Sequence, residues 1–454
     1  MKGLIAAGGR LQPGVVAFAG LTVLVCLAVG EVLPGRLETL SPTKLAALPI
    51  ALLFVLAAGW LSLERPLAAF AVAFVLLGVV DVQPAPVDAI FALLIATTVA
   101  TVRTRPHIPA FVGLPLAGFL LLTILSTTNA VDMHRALSFE GITLYMLILA
   151  VWLSWALTKR EWVHAGVKMY IVGAAASAAL GAIALYLPVP AKHFLVYGGA
   201  RAEGLFKDPN VYAAFLVPAA IILLDEITTP RILTWSRRTV VALFAIVSLG
   251  VAVAYSRGAW LNYAVAVSTF VFVQSNRRGG LRRAAKSIGI LAACAFAGFV
   301  VLLETGSLGF LLERSHLQAY DAQRFSNQDV AFGDMFRHLF GFGPGQTEIL
   351  RPLATHSSYV RAAFEQGFLG LAALVLVLWG TLLCALLLTR RKVEVNGVGT
   401  GALLGIWLGQ LANSFFIDTL HWRHLWVFAA LIWCSYSLVT RPPAGERPLA
   451  YSGL

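Results

Sequence analysis

Runs of about twenty apolar residues, one after another and separated by short breaks of charge, Pro and Gly, constrain this chain more than any other feature. Each has the length an α-helix needs to cross roughly 30 Å of hydrocarbon at 1.5 Å per residue. Inside hydrocarbon a backbone must satisfy its own hydrogen bonds, so helices are the form such runs take. Fourteen candidates stand out, at 14–34, 45–63, 67–81, 87–102, 109–127, 139–157, 163–187, 210–224, 239–255, 258–275, 285–303, 358–388, 400–417 and 424–440. The third, fourth and eighth are short, and one short pair that re-enters or lies on the membrane leaves twelve spans without changing the side of any later loop. With 12% of its residues charged and a mean hydropathy of +0.81, the chain has the bilayer as its main solvent. The expectation is an all-α polytopic membrane protein of 12–14 transmembrane helices with one large, partly helical outer loop.

Lys and Arg in short loops set the orientation. With the N-terminus inside, the inner loops collect Arg65, Arg103, Arg105, Lys159, Arg160, Arg231, Arg237, Arg238, the cluster from Arg277 to Lys286, and Arg390 to Lys392. These loops and the anionic headgroups beside them account for much of the net charge of +12, so nucleic acid is not an expected partner. The cysteines Cys26, Cys294, Cys384 and Cys434 lie one apiece in separate apolar segments and read as packing residues. Loop length divides the chain into N-terminal transmembrane helices over 1–187, a core over 188–440 that contains the outer loops 188–210 and 304–357, and a cytoplasmic tail over 441–454.

Ionisable residues within the spans are nearly absent, Lys168 being the clearest exception, and there is no inverted pair of broken helices; both facts count against an ion-coupled transporter. Cations gather instead at the outer surface. Arg201 and Lys207 share one loop, Arg257 lies in the short link Tyr255-Ser256-Arg257-Gly258, and Arg324, Arg337, Arg351 and Arg361 flank His356. Arg257 stands out because a short outer link needs no positive charge; the plain alternative is an Arg snorkelling to lipid phosphate. For Arg201 the plain alternative is a loop salt bridge to Glu203 or Asp208. His356 directly precedes a long apolar helix that Ser357 or Ser358 is placed to cap. Upstream of Gly341-Phe342-Gly343-Pro344-Gly345, the residues Phe325, Val330, Phe332, Met335, Phe336, Leu339 and Phe340 recur at helical spacing and predict an amphipathic helix on the membrane surface. No metal-ligand spacing, P-loop or dinucleotide fingerprint occurs, so no metal, cofactor or nucleotide is expected.

Three stretches make the chain similar to a known family. They are Arg201-Ala202-Glu203-Gly204-Leu205-Phe206 with Asp208-Pro209-Asn210, then Ser256-Arg257-Gly258-Ala259-Trp260-Leu261, then the Gly341 to Gly345 turn leading to His356-Ser357. Over roughly 190–380 the chain resembles the O-antigen ligase and O-antigen polymerase superfamily of bacterial envelope glycosyltransferases. The ligase branch has an outer-loop signature of His, then Asn, Ser or Gln, nine residues, Gly, two residues, and Gly, Thr or Tyr. His356, Ser357, Gly367 and Gly370 match each position.

The resemblance implies transfer of polysaccharide from an undecaprenyl-diphosphate-linked donor to the lipid A core, on the periplasmic side of the inner membrane. It assigns His356, Arg201 and Arg257 to that reaction, with Lys207, Arg324, Arg361, Ser357, Gly367 and Gly370 as supporting positions. The chemistry agrees with it: a departing diphosphate is a multiply charged anion that calls for cations, and an imidazole with a pKa of about 6.5 suits removal of a hydroxyl proton. The expected step is an inverting, metal-independent displacement in which His356 is the general base. Gly367 and Gly370 lie about 16 Å and 21 Å below His356 if that helix runs straight. The rival readings are an O-antigen polymerase, a protein O-oligosaccharyltransferase, whose members often carry additional C-terminal sequence, and, from another class, a lipid-linked-sugar flippase, which needs its cations inside a central cavity.

Overall fold

The computed structural model describes residues 42–81, 85–102, 104–190, 192–277, 279–316, 319–336, 338–351, 356–391, 394 and 396–440. The candidate span 14–34 and the tail 441–454 lie outside them. The first helices are α1 (Pro42–Glu64), α2 (Pro66–Leu76), α3 (Pro86–Thr101), α4 (Ala110–Ser126), α5 (Met133–Ala156) and α6 (Arg160–Tyr186). A short hairpin of β1 (Val196–Tyr197) and β2 (Arg201–Ala202) leads to α7 (Pro209–Thr228), α8 (Arg237–Val253), α9 (Arg257–Ser275) and α10 (Gly280–Glu304). The long loop holds α11 (Leu308–Ser315), α12 (Ala319–Asp334) and α13 (Thr347–Leu350), and the chain closes with α14 (Ser358–Arg391), α15 (Thr400–Ser414) and α16 (Arg423–Thr440).

Every candidate span within the described residues falls on one of these helices. Six stretches among the described residues are long and apolar enough to cross a membrane: Ala110–Asn129, α5, α6, α7, α10 and α14. Others are shorter than the apolar run that announced them; α2 has 11 residues and α15 has 15, because Gly78 and the turn after Ser414 end the helix while the apolar residues continue. The exterior is apolar: Ile50, Leu114, Phe272 and Phe296 are each about 70% exposed. In water such a surface aggregates, whereas in lipid it is the solvated one. The chain is an all-α polytopic membrane protein.

The interior is built around α7, which is buried along nearly all of its length and packs against α6, α8, α9 and α15. Close approach of α9 and α15 depends on Gly401, Gly405 and Gly409 at four-residue spacing. A Cβ on Gly405 would lie 2.6 Å from the Ala266 carbonyl oxygen, and one on Gly409 would lie 2.6 Å from that of Asn262. Small residues in register let two backbones touch where lipid offers no hydrophobic drive to association.

Two expectations need correction. The amphipathic helix of the outer loop is present as α12 but ends at Asp334, short of Phe340. After Gly333 the amides of Met335 and Phe336 bond three residues back rather than four, so the helix tightens and stops. The helix after His356 is not straight either. Gly367 sits at φ +71°, ψ −170°, and breaks α14 nine residues after it begins. The carbonyls of Phe364 and Glu365 accept instead from the amides of Phe342 (3.0 Å) and Gly343 (2.9 Å), so the break leaves these oxygens satisfied. A Cβ on Gly367 would lie 2.2 Å from the Leu339 carbonyl oxygen, and one on Gly370 would lie 2.1 Å from Cβ of Gln366. Gly367 therefore serves a backbone crossing by the outer loop, Gly370 leaves room for Gln366 across the break, and the depths of 16 Å and 21 Å for a straight helix do not hold.

Candidate functional site

Two arginines are brought together by one asparagine. Gly198 and Gly199, both at positive φ, turn the β1–β2 hairpin and deliver Arg201 opposite Tyr197. Arg201 Nε donates to the carbonyl of Ala254 at the end of α8 (3.0 Å), and its Nη2 donates to Asn210 Oδ1 (3.2 Å). The same Asn210 oxygen accepts from Ser256 Oγ at 2.7 Å. Ser256 caps α9, so Arg257 follows directly. Tyr255, buried at φ +50°, makes the sharp link between α8 and α9 that this requires. Asp208 orders the other side by accepting from the Asn210 amide at 2.6 Å.

Arg257 meets a carboxylate of the outer loop. Its Nη1 and Nη2 donate to Asp321 Oδ2 (2.8 Å) and Oδ1 (2.7 Å), and Nη1 also donates to the His316 carbonyl (3.1 Å). A guanidinium held by both oxygens of a carboxylate has the geometry with which it also takes a phosphate.

His356 is exposed and lies at φ +47°, immediately before the cap of α14. Ser357 Oγ accepts from the Val360 amide at 3.4 Å, and the Thr419 amide donates to Ser358 Oγ at 2.8 Å. The residues after α15 therefore hold the start of α14. The last turn of α15 and the residues after it also meet Arg257's neighbour: a Cβ on Gly258 would lie 2.9 Å from Asn413 Oδ1 and 3.0 Å from Ile417 Cδ1. The segments carrying Arg257 and His356 thus converge on residues 413–419, and Asn210 ties the Arg201 hairpin to the first of them.

The supporting positions divide. Arg361 is buried, with Glu365 (3.0 Å), Asp418 (2.9 Å) and Glu348 around its guanidinium. Glu348 also pairs with Arg135 at 3.0 Å. Burial acts to raise the Asp418 carboxyl, but Arg361 and His421 outweigh it and hold the group below its ordinary range. This network clamps the start of α14, and with it the segment after His356, to α5, α13 and residues 415–422. Lys207 is exposed on the turn before α7, Ser357 is the cap, and the side chain of Arg324 lies outside the described ones. Sequence reasoning missed the bridging role of Asn210, although it stands in a quoted motif. It also missed Asp321, which has no local signal because its partner is 64 residues away.

The fold and this end of it define a class: a polytopic α-helical membrane protein with guanidinium groups and the exposed imidazole of His356 at one end of its helical bundle. A family model for O-antigen ligase matches residues 242–375, from α8 into α14, so this stretch is similar to the O-antigen ligases. The matched stretch includes Arg257, His356, Gly367 and Gly370, while Arg201 and Lys207 precede it. No curated protein matches the chain.

Proposed function

We propose that the protein is an O-antigen ligase that transfers polysaccharide from undecaprenyl diphosphate to a sugar of the lipid A core, on the periplasmic face of the inner membrane. The observation that carries this reading is the Asn210 bridge, which joins Arg201 to the Ser256-Arg257 link. Arg201 and Arg257 hold the diphosphate and neutralise it as it leaves; the Arg257 fork that grips Asp321 is the one offered to phosphate oxygens. His356 takes the proton of the acceptor hydroxyl as it attacks the anomeric carbon from the face opposite the departing diphosphate, which inverts that centre. The proton ends on the imidazole and the electron pair of the broken bond on the diphosphate.

The test mixes purified protein, lipid-linked polysaccharide and rough lipopolysaccharide without nucleotide or added metal. Polysaccharide on the lipid A core is the expected product; lengthened carrier-linked chains would make the protein a polymerase. His356→Ala lowers turnover by about 10²- to 10⁴-fold with donor binding retained, and Arg257→Ala lowers it by about 10²- to 10³-fold. Full activity in His356→Ala removes that residue from the role.

A further inference from the structure

Beside the turn that anchors Arg201 lies a cavity of about 190 Å³ that the reaction above does not use. One wall is Lys207-Asp208 and the start of α7; the other is the segment from His421 to His424 leading into α16. Phe215 lines it from six residues inside α7, about 9 Å below the helix start. The cavity therefore opens at the same end of the bundle as the arginines and dips toward the apolar interior.

Its groups are mixed in a particular way. Lys207 is exposed, Asp208 contributes a carboxylate, and the charge of Arg423 is balanced by Asp88, with Nε to Oδ1 at 2.6 Å. His424 is 3% exposed, and its Nε2 has no hydrogen-bond partner among the described residues. The His424 ring packs against Phe215 (5.8 Å) and Trp422 (5.4 Å). A phosphate site would gather unbalanced cations, and a lipid-tail site would carry no charge. An aromatic wall beside groups that both donate and accept suits a sugar ring, which has an apolar C–H face and a rim of hydroxyls. At 190 Å³ the space is below the roughly 300 Å³ at which sites for larger ligands begin, so it takes one ring.

We propose that this cavity binds one pyranose ring of the saccharide substrate, with Trp422 beside its apolar face and Lys207, Asp208 and His424 on its hydroxyls. The ring is the donor's first sugar, an assignment that rests on the reading of Arg201 and Arg257 as the diphosphate site. Asp208 and Asn210 share one turn, and Asn210 holds Arg201, so a sugar bonded to that diphosphate falls next to the cavity.

Saturation-transfer NMR on the full chain in nanodiscs, with methyl glucoside, methyl galactoside and N-acetylglucosamine as probes and inorganic phosphate as the control ligand, tests this. At least one sugar is expected to receive magnetisation. Its affinity is expected to fall about threefold to tenfold in His424→Gln, the size of one neutral hydrogen bond, and by about tenfold or more in Lys207→Ala, whose ammonium makes a charge-assisted one. It is expected to stay unchanged in His356→Ala and in Arg257→Ala, and to persist when inorganic diphosphate fills the arginine site. Equal sugar binding in both cavity variants, loss of sugar binding on adding diphosphate, or binding of phosphate alone overturns the proposal. Thermal unfolding of the two variants, one conservative and one at an exposed position, verifies that they fold. Absence of transferase product with sugar binding intact sinks the ligase reading and leaves the cavity standing; the converse result sinks the cavity alone.

Discussion

Glu203 carries the clearest titration at the scale of single residues. It is 6% exposed, and burial first, then Asp81 and Asp208, push its carboxyl up from an ordinary 4.5 to about 7, while Arg201 pulls the other way. The folded protein therefore favours the protonated form. Stability is greatest below the ordinary carboxylate range, declines as pH rises from about 4.5 towards 7, and levels off above it. Glu203→Gln removes this dependence, so its thermal midpoint between about pH 5 and pH 8 should run flatter than that of the parent; parallel curves would show that Glu203 is not the group responsible. The arginine motif containing Glu203 was legible in the sequence. The buried environment that shifts its pKa was not, because Asp81 belongs to another segment of the chain.

At the scale of elements, the break in α14 and the position of α12 decide how the outer loop sits. Gly367→Ala places a Cβ within 2.2 Å of the Leu339 carbonyl oxygen at a φ of +71°. The conformational cost is about 1–2 kcal/mol, and overpacking adds about 1–3 kcal/mol. Thermal unfolding should register a loss of that order, and an unchanged midpoint would mean that the helix straightens without cost. Asp321 binds α12 to Arg257 with two hydrogen bonds and so competes with any anion for the same fork. Asp321→Asn should therefore strengthen binding of inorganic diphosphate severalfold in isothermal titration; weaker binding would make Asp321 a supporter of the site rather than its competitor. The amphipathic character of α12 was readable from Phe325, Val330 and Phe332, but its end at Asp334 was not, because apolar spacing continues past the point where the helix tightens.

For the whole molecule the prediction concerns sidedness. In a background without native cysteines, His193→Cys in the loop before β1 should react with a membrane-impermeant maleimide in cells whose inner membrane is intact. Thr234→Cys, in the link between α7 and α8, should react only after that membrane is opened. Labelling in the opposite order would reverse the orientation and put the arginine end in the cytoplasm. Apolar runs and their flanking charges by themselves determined that the chain is helical and membrane-embedded and which loops share a face, because hydrocarbon imposes its hydrogen-bonding demand on every window of about twenty residues. Tertiary structure alone decided which cations meet, that Asp321 occupies Arg257, and that α14 breaks where amides of the Gly-rich turn receive its carbonyls. Those outcomes depend on groups far apart along the chain, whose partners are supplied only when the helices pack.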